Sequence, residues 1–426
     1  MSHKIFIISE YGLVGTRYTL TSSKKFVSAC VPTDAYEEFE AFAKTEDGGK
    51  VLGFVGSGDC LRAKNYVGTI QTKGGYTLEI LPKIYNHQNE EESKSIFMEL
   101  LRILYKLPNF KQIDTANFKS TEMPILEIFI EMFLDEVDII IKQGVKSQYL
   151  GKDENLYYLK GKLLVSEQIK YNHLHRERFY VNYDEYSQDR AENRLLKSTL
   201  KYLMSISNTY SNISRARQYI EHLQMITYSQ NFDADFKKCT TKQRGMNHYD
   251  RALIWAKIFL KKESFSNFYG ESIAFSILYP MERLFESYVE HWLWVNEPDV
   301  QDVIVTTVRD SFVFGDSGKD VASVLPDFLI KKDNCINIVA DAKWKMINKD
   351  GYFSNSDFYQ LFAYKHIYEN KHKVTDIKLR LYYPQSEYLQ DREEYEYFCG
   401  SVITICPIDM SDIINNDNKG NINELR

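Results

Sequence analysis

Residues 325–345 read LPDFLIKKDNCINIVADAKWK. Two short apolar runs flank a polar turn, Lys331-Lys332-Asp333-Asn334. Strand side chains alternate with period two, so Ile336, Ile338, Ala340 and Ala342 share one face of the second run. Val339, Asp341, Lys343 and Lys345 share the other. The pattern predicts a β-hairpin with one acidic, basic-tipped face. Asp341 and Lys343 stand side by side on it, and Asp327 enters from the neighbouring strand just after Pro326.

The flanking sequence places this hairpin in a mixed sheet. Upstream, Pro280 opens MERLFESYVEHWLW, an amphipathic helix with Met281, Leu284, Phe285, Tyr288 and Trp292 on one face. Glu282, Glu286 and Glu290 line up at i, i+4 on another flank. Strand-like runs follow on both sides of the hairpin. Downstream come a helix, Phe358 to Glu369, and the strands IKLRLYYP and VITICPI. The order helix, strands, helix, strands predicts a compact α/β sandwich.

Such a face has the parts for phosphodiester hydrolysis. That reaction needs a metal to neutralise phosphate and acidify water, carboxylates to hold it, and a cation beside the attacking water or the developing charge. Asp327 and Asp341 on adjacent strands suit one hard cation, Mg²⁺. The backbone carbonyl of Ala342 can add an oxygen, and Lys343 can orient or deprotonate water. Glu286, or else Glu282, can supply a further acid. Gln360 and Tyr364 share a face of the downstream helix and can contact phosphate or order water. A bare D/E-x-K carries little information, because Glu92-Ser93-Lys94, Asp235-Phe236-Lys237 and Asp376-Ile377-Lys378 also occur. Context separates Asp341-Ala342-Lys343 from these, and the bland alternative is a salt bridge across a surface hairpin.

The rest of the chain divides by periodicity. Residues 1–88 are mainly β, with Gly74-Gly75 as a hairpin turn and one helix from Asp34 to Lys44, capped by the Asp. Residues 89–270 are mainly helical. One helix starts near Ser120-Thr121, carries Pro124 in its first turn and ends at Gly144. Its acids, Glu127 among them, read as a solvated face. Residues 145–185 read as irregular and charged. His173 and His175 lack a third ligand at metal spacing there, so a basic surface or a solvated loop is expected. Lys237, Lys238, Lys242 and Arg244 form a modest basic patch. Residues 411–426 are a polar tail.

Composition narrows the classes further. The 426 residues suit two to four domains, and the net charge of −6 argues against a uniformly basic nucleic-acid coat. Six cysteines without a C-x-x-C pair point to free thiols rather than zinc or a disulfide framework. The most apolar helix, Ile125 to Ile141, holds five acids, which excludes a membrane span. No signal peptide opens the chain, so a cytoplasmic location is expected. Neither G-x-x-x-x-G-K-[ST] nor G-x-G-x-x-G occurs, so no nucleotide-binding loop is expected.

The hairpin in its setting resembles the PD-(D/E)xK nuclease fold. Across most of its length the chain also resembles the McrC family, the nuclease subunits of McrBC modification-dependent restriction systems. The resemblance rests on GGYTLEILPKIY, ENLYYLKGKLLVSEQIKYN, the segment Asp189 to Leu196, MERLFESYV, LPDFLI with VADAKWK, and DFYQLFAYKHIY, in that order. It implies a multidomain α/β protein. Residues 1–88 would form a β-rich partner-binding module, 89–270 a helical middle, and 271–410 a PD-(D/E)xK mixed-sheet endonuclease domain. It further implies Mg²⁺-dependent cutting of double-stranded DNA in partnership with a McrB-like AAA+ GTPase hexamer. That partner binds the GTP and is stimulated by this chain. Whether two such complexes meet for double-strand cleavage is left open. Asp327 and Asp341 match the metal carboxylates, Lys343 the catalytic lysine, Gln360 a Tyr-Gln pair and Glu286 a looser acid. The charged stretch 145–185 and the loops of the β module become candidate ring contacts. The alternatives are a non-cleaving assembly subunit and a stand-alone nuclease.

Overall fold

The computed structural model describes residues 5–16, 28–56, 59–84, 89–105, 123–239, 246–261, 273–297, 302–305, 310–314, 320–332, 335–347, 353–374 and 377–415. The chain forms two compact units, one of residues 1–122 with 268–426 and one of residues 123–267.

The first unit opens with short strands, β1 (Ile5–Ser9), β2 (Leu13–Gly15), β3 (Ala29–Cys30), β4 (Leu52–Val55), β5 (Cys60–Ala63), β6 (Tyr66–Thr72) and β7 (Thr77–Leu81). β3, β2, β5 and β4 form one small sheet, while β1 and β6 flank β7 in another. The β6–β7 hairpin turns at Gly74-Gly75 as expected, with Gly75 at φ 83°. The helix Thr33–Ala43 buries Phe39 and Phe42 in the core that the two sheets share with Val14, Leu61, Leu78 and Ile80. Its N-cap is Pro32 with no side-chain cap, so Asp34 is not the cap. It sits in the first turn, where Tyr76 donates a hydrogen bond to it. The helix Glu90–Leu104 stays with this unit, because Lys94 ion-pairs with the buried Glu79 of β7 at 2.9 Å. The residues around Ser120-Thr121 lie outside the described residues.

The second unit packs the helices Ile125–Gln143, Ala191–Ile206, Tyr210–His222 and Asp250–Lys261. Phe129 meets Trp255 and Phe133 meets Phe259 in its core. Residues 145–185 are not irregular. They build β8 (Gln148–Leu156), β9 (Lys162–Leu163), the helix Val165–Asn172 and β10 (Phe179–Ser187). β8 and β10 pair antiparallel over nine residues each. The sequence shows little apolar alternation because β8 is mostly exposed along its length. Cross-strand pairs hold the sheet instead. Tyr149 packs on Tyr186, Lys152 pairs with Glu185, and the Tyr183 hydroxyl donates to Glu154 at 2.6 Å. Gly161, at φ 69°, lets the chain pass close to β10, where an added Cβ would lie 2.4 Å from the Asn182 carbonyl oxygen.

β11 (Ile273–Pro280) returns to the first unit and completes the order β1-β7-β6-β11. Gly68 allows this contact, because a Cβ there would sit 2.0 Å from the Ile277 carbonyl oxygen. Directly after β11, with Pro280 as N-cap, comes the helix Met281–Asn296. The remaining strands are β12 (Asp302–Val305), β13 (Asp310–Phe314), β14 (Asp320–Val324), β15 (Phe328–Lys332), β16 (Cys335–Ala342), β17 (Lys378–Pro384), β18 (Glu393–Glu396) and β19 (Val402–Ile408). β13 and β14 pair with each other, and the rest form a mixed sheet of order β12-β15-β16-β17-β19-β18. β15 and β16 make the expected antiparallel hairpin, its tip residues Asp333 and Asn334 lying outside the described residues. The helix Asn355–His372 crosses from β16 to the parallel β17, as a parallel pair requires. Leu361 and Tyr368 of this helix pack on Val339, Leu379 and Leu381. The last helix among the described residues is Asp412–Asn415, and the tail from 416 lies outside them.

Candidate active site

The site forms where β16 ends in the middle of the mixed sheet. Asp327 stands one residue before β15, and its Oδ2 accepts a hydrogen bond from the Ala342 backbone N–H at 2.8 Å. That bond locks the Pro-Asp turn onto the last residue of β16. Asp341, only 2% exposed, is ion-paired with Lys343. Lys343 is past the strand, but its N–H still donates to the Tyr382 carbonyl of β17 at 2.9 Å, which keeps its side chain on the face of Asp341. The central position explains the composition. β16 is covered on both faces, and Val339 to Ala342 are all buried. Only small residues and one paired acid fit there.

The neighbouring helices bring the other predicted residues. Glu286 is held above the usual carboxylate range, first by burial and also by Asp341, while Arg283 and Lys343 oppose the shift. Glu282 is drawn elsewhere, accepting a hydrogen bond from Asn65 of the N-terminal module. The geometry thus separates the two glutamates and keeps Glu286 with the site. Gln360 donates to the Tyr364 hydroxyl, which donates to the Leu325 carbonyl at 3.0 Å, two residues before Asp327. The Gln-Tyr pair therefore braces the entry to β15.

Electrostatics set this group apart. Burial raises Asp327, and Asp341 and Glu286 raise it further against the Ala342 N–H and Lys343. Asp341 is raised as well, by burial, with Lys343 opposing. Burial pulls Lys343 down, but Asp341, then Asp327 and Asp357, outweigh it and hold the ammonium above its ordinary value. A cation between the carboxyls would relieve their repulsion, and hard oxygen donors without histidine or cysteine suit Mg²⁺ better than zinc. Among the described residues no three His, Cys, Asp or Glu side chains group closely enough for a metal. Asp327 and Asp341 would share the cation with the Ala342 carbonyl and with oxygens from water or phosphate.

Two residues of this neighbourhood carry no assignment from the sequence. Lys345 pairs with both oxygens of the buried Asp357, at 3.0 and 2.8 Å, and Tyr383 donates to the same carboxylate at 2.9 Å. The alternation that puts Lys345 on the face of Asp341 was the available signal. Glu10, which accepts the Trp344 indole N–H, is the other. The competing D/E-x-K matches have structural partners: Lys94 pairs with Glu79, and Asp235 pairs with Arg194 at 2.9 Å. Asp376 lies outside the described residues, as do Lys242 and Arg244 of the expected basic patch. His175 contacts Glu177 at 3.2 Å on the exposed surface.

A mixed-sheet α/β unit with a carboxylate–lysine site at its strand ends, joined to a helical unit with an exposed sheet, is the class of protein this geometry defines. The family model of the McrBC 5-methylcytosine restriction system component matches residues 61–384, and the chain belongs to that family. Among solved structures, a chain of the refined half-complex from a tetradecameric assembly of Thermococcus gammatolerans McrB AAA+ hexamers with bound McrC aligns with a TM-score of 0.70. It does so at 18% identity over 97% of this chain and 100% of that chain. A chain of the cryo-EM structure of the Thermococcus gammatolerans McrBC complex aligns with a TM-score of 0.51 at 18% identity, over 70% of this chain and 90% of that one. At this identity the likeness is one of fold. No curated protein matches the chain. Among the described residues no helix is long and apolar enough to cross a membrane.

Proposed function

We propose that this restriction-system component is a Mg²⁺-dependent DNA endonuclease subunit that works in the cytoplasm, docked on a McrB-like AAA+ GTPase hexamer whose GTP hydrolysis it stimulates. The observation that carries the reading is the convergence of Asp327, Asp341 and Lys343 at the end of a buried central strand. When bound, the metal supplies charge neutralisation of the scissile phosphate and a more acidic water. Asp327 and Asp341 would hold it, and the Ala342 N–H fixes the angle of Asp327. Lys343, kept charged by Asp341, orients the attacking water and offsets charge that builds on the phosphate oxygens. Glu286 supplies a further acceptor from the helix Met281–Asn296, and the Gln360–Tyr364 pair holds the Pro-Asp segment in register.

The partner reading draws on the solved assemblies, which are McrB AAA+ hexamers with bound McrC. It also draws on the second unit, whose sheet region exposes Tyr149, Tyr158, Leu159, Ile169, Leu174 and Tyr186. Exposed apolar surface of this kind marks a protein-binding face. The test is reconstitution with a McrB-like GTPase, GTP, Mg²⁺ and duplex DNA carrying 5-methylcytosine. Cleavage by the wild-type chain and its loss in Asp341→Ala, with GTPase stimulation unchanged, is the expected result. Equal cutting by both chains would remove the active-site assignment. GTPase stimulation without any cutting by the wild type would leave an assembly subunit.

A further inference from the structure

Glu10 lies 334 residues before Trp344, yet the two touch. β1 ends at Ser9, and Gly12 donates its N–H to the Ser9 carbonyl at 2.9 Å, so residues 9–12 form a tight turn. Tyr11 takes φ 61° in that turn, a conformation that non-glycine residues seldom adopt, and its ring is exposed. The turn sends Glu10 inward, where it is 2% exposed. One carboxylate oxygen accepts the Lys83 backbone N–H at 3.0 Å. The other accepts the Trp344 indole N–H at 3.1 Å.

Trp344 is the residue after Lys343. Its own side chain is buried and packs against Phe285, ring centroids 5.4 Å apart, and Phe285 adjoins Glu286. β16 ends at Ala342, so the backbone beyond Lys343 lacks the ladder that a strand would provide. The Tyr382 carbonyl holds Lys343, the Asp357 carboxylate holds Lys345, and the indole anchors the residue between them. Its apolar ring would seat in the core by packing alone, but packing does not fix the rotation of a ring as a directed hydrogen bond does. Glu10 supplies that direction from a sheet belonging to the N-terminal module. The same sheet launches the helix that carries Glu286 through β11, and Asn65 ties Glu282 of that helix back to the module.

We propose that Glu10 is a positioning residue for the nuclease site: through the Trp344 indole it sets the backbone that aims Lys343, making the N-terminal module part of the active-site framework. The inference rests on the reading of Asp327, Asp341 and Lys343 as the cutting site. It follows that the cutting site is not confined to the mixed-sheet portion, and that load applied to the β1–β2 turn reaches Lys343.

The experiment uses the full chain in its reconstituted complex, with Glu10→Ala, Glu10→Gln, Trp344→Phe and the double variant Glu10→Ala with Trp344→Phe. A misplacement of the aimed group of about 1 Å costs up to roughly a hundredfold in rate. Glu10→Ala and Trp344→Phe should each lower kcat for cleavage by about tenfold or more, with KM for DNA and GTPase stimulation unchanged. The double variant should be no slower than the worse single one, and Glu10→Gln should recover part of the loss, since its amide oxygen accepts the indole N–H while its NH2 cannot accept the Lys83 N–H. In ¹⁵N-indole-labelled chain, the Trp344 N–H proton resonance, assigned by its absence in Trp344→Phe, should move upfield in Glu10→Ala and hold in Glu10→Gln. Full-rate cleavage by Glu10→Ala, additive losses in the double variant, or an unmoved indole resonance would each overturn the proposal. An Asp341→Ala control that cuts like the wild type would instead remove the nuclease reading and leave the indole shift standing.

Discussion

Glu127 in the helical unit and Asp341 in the mixed sheet are both carboxylates with almost no exposure, 1% and 2%. Their surroundings differ in kind. Glu127 meets donors: the Ser207 hydroxyl at 2.8 Å, the Asn212 amide at 2.9 Å and the Asn208 backbone N–H. Asp341 meets one lysine and the Asp327 carboxyl, which hydrogen-bonds to it, and its charge raises both Asp327 and Glu286. A buried carboxylate surrounded by donors is finished, and it fastens one helix to the next. A buried carboxylate facing other carboxylates has a place for a cation from outside. The segment Asp189 to Arg194 belongs to the first kind. Arg190 clasps Glu192, Asn193 bonds the Lys146 and Gln188 carbonyls at the base of the exposed sheet, and Arg194 holds Asp235.

The comparison can be broken at several points. The largest effect is on catalysis. Lys343→Ala should lower cleavage by on the order of a thousandfold in a chain whose urea midpoint shows it still folded under assay conditions. A variant that cuts normally would place Lys343 outside the chemistry. Next comes a contrast of sign in stability. Glu127→Ala strands buried donors and should cost about 3 kcal/mol in urea unfolding. Asp341→Asn removes a charge that burial disfavours and should raise the midpoint of the metal-free chain. The same sign for both would mean that the two carboxylates are held alike. Millimolar Mg²⁺ should then stabilise the wild-type chain by about 1–3 kcal/mol in thermal unfolding and leave Asp341→Ala unmoved.

A further effect is a pH dependence. Burial pushes Glu10 from 4.5 up to about 8, with Glu282 adding to the shift and the Lys83 N–H, the Trp344 indole and the Lys83 charge opposing it. A carboxyl raised on folding stabilises below its unfolded pKa, and that contribution is lost as pH rises through the folded value. The wild type should therefore lose stability relative to Glu10→Gln between about pH 4.5 and pH 8. Parallel urea midpoints across that window would show that Glu10 stays ionised.

Local patterns were legible because they depend on neighbours in the chain. Period-two alternation in VADAKWK and the Pro-Asp before LIKK located the hairpin, Asp327, Asp341 and Lys343. The helix periods located Glu286 and Gln360 to within a turn. The exposed sheet of residues 148–187 was not legible, since a strand exposed along most of its length has no need of apolar alternation. Nor was the burial of Glu127, whose partners lie about 80 residues away on other helices.

By itself the sequence determined which face of β16 carries its charges, since alternation is a property of the backbone, and which acid helix and glutamine helix flank it. Tertiary structure alone decided that β16 is central and covered, that Glu282 goes to Asn65 while Glu286 stays with the site, and that Glu10 holds Trp344. These are contacts between distant segments, and their energies come from burial and repulsion that exist only once the sheets have closed around them.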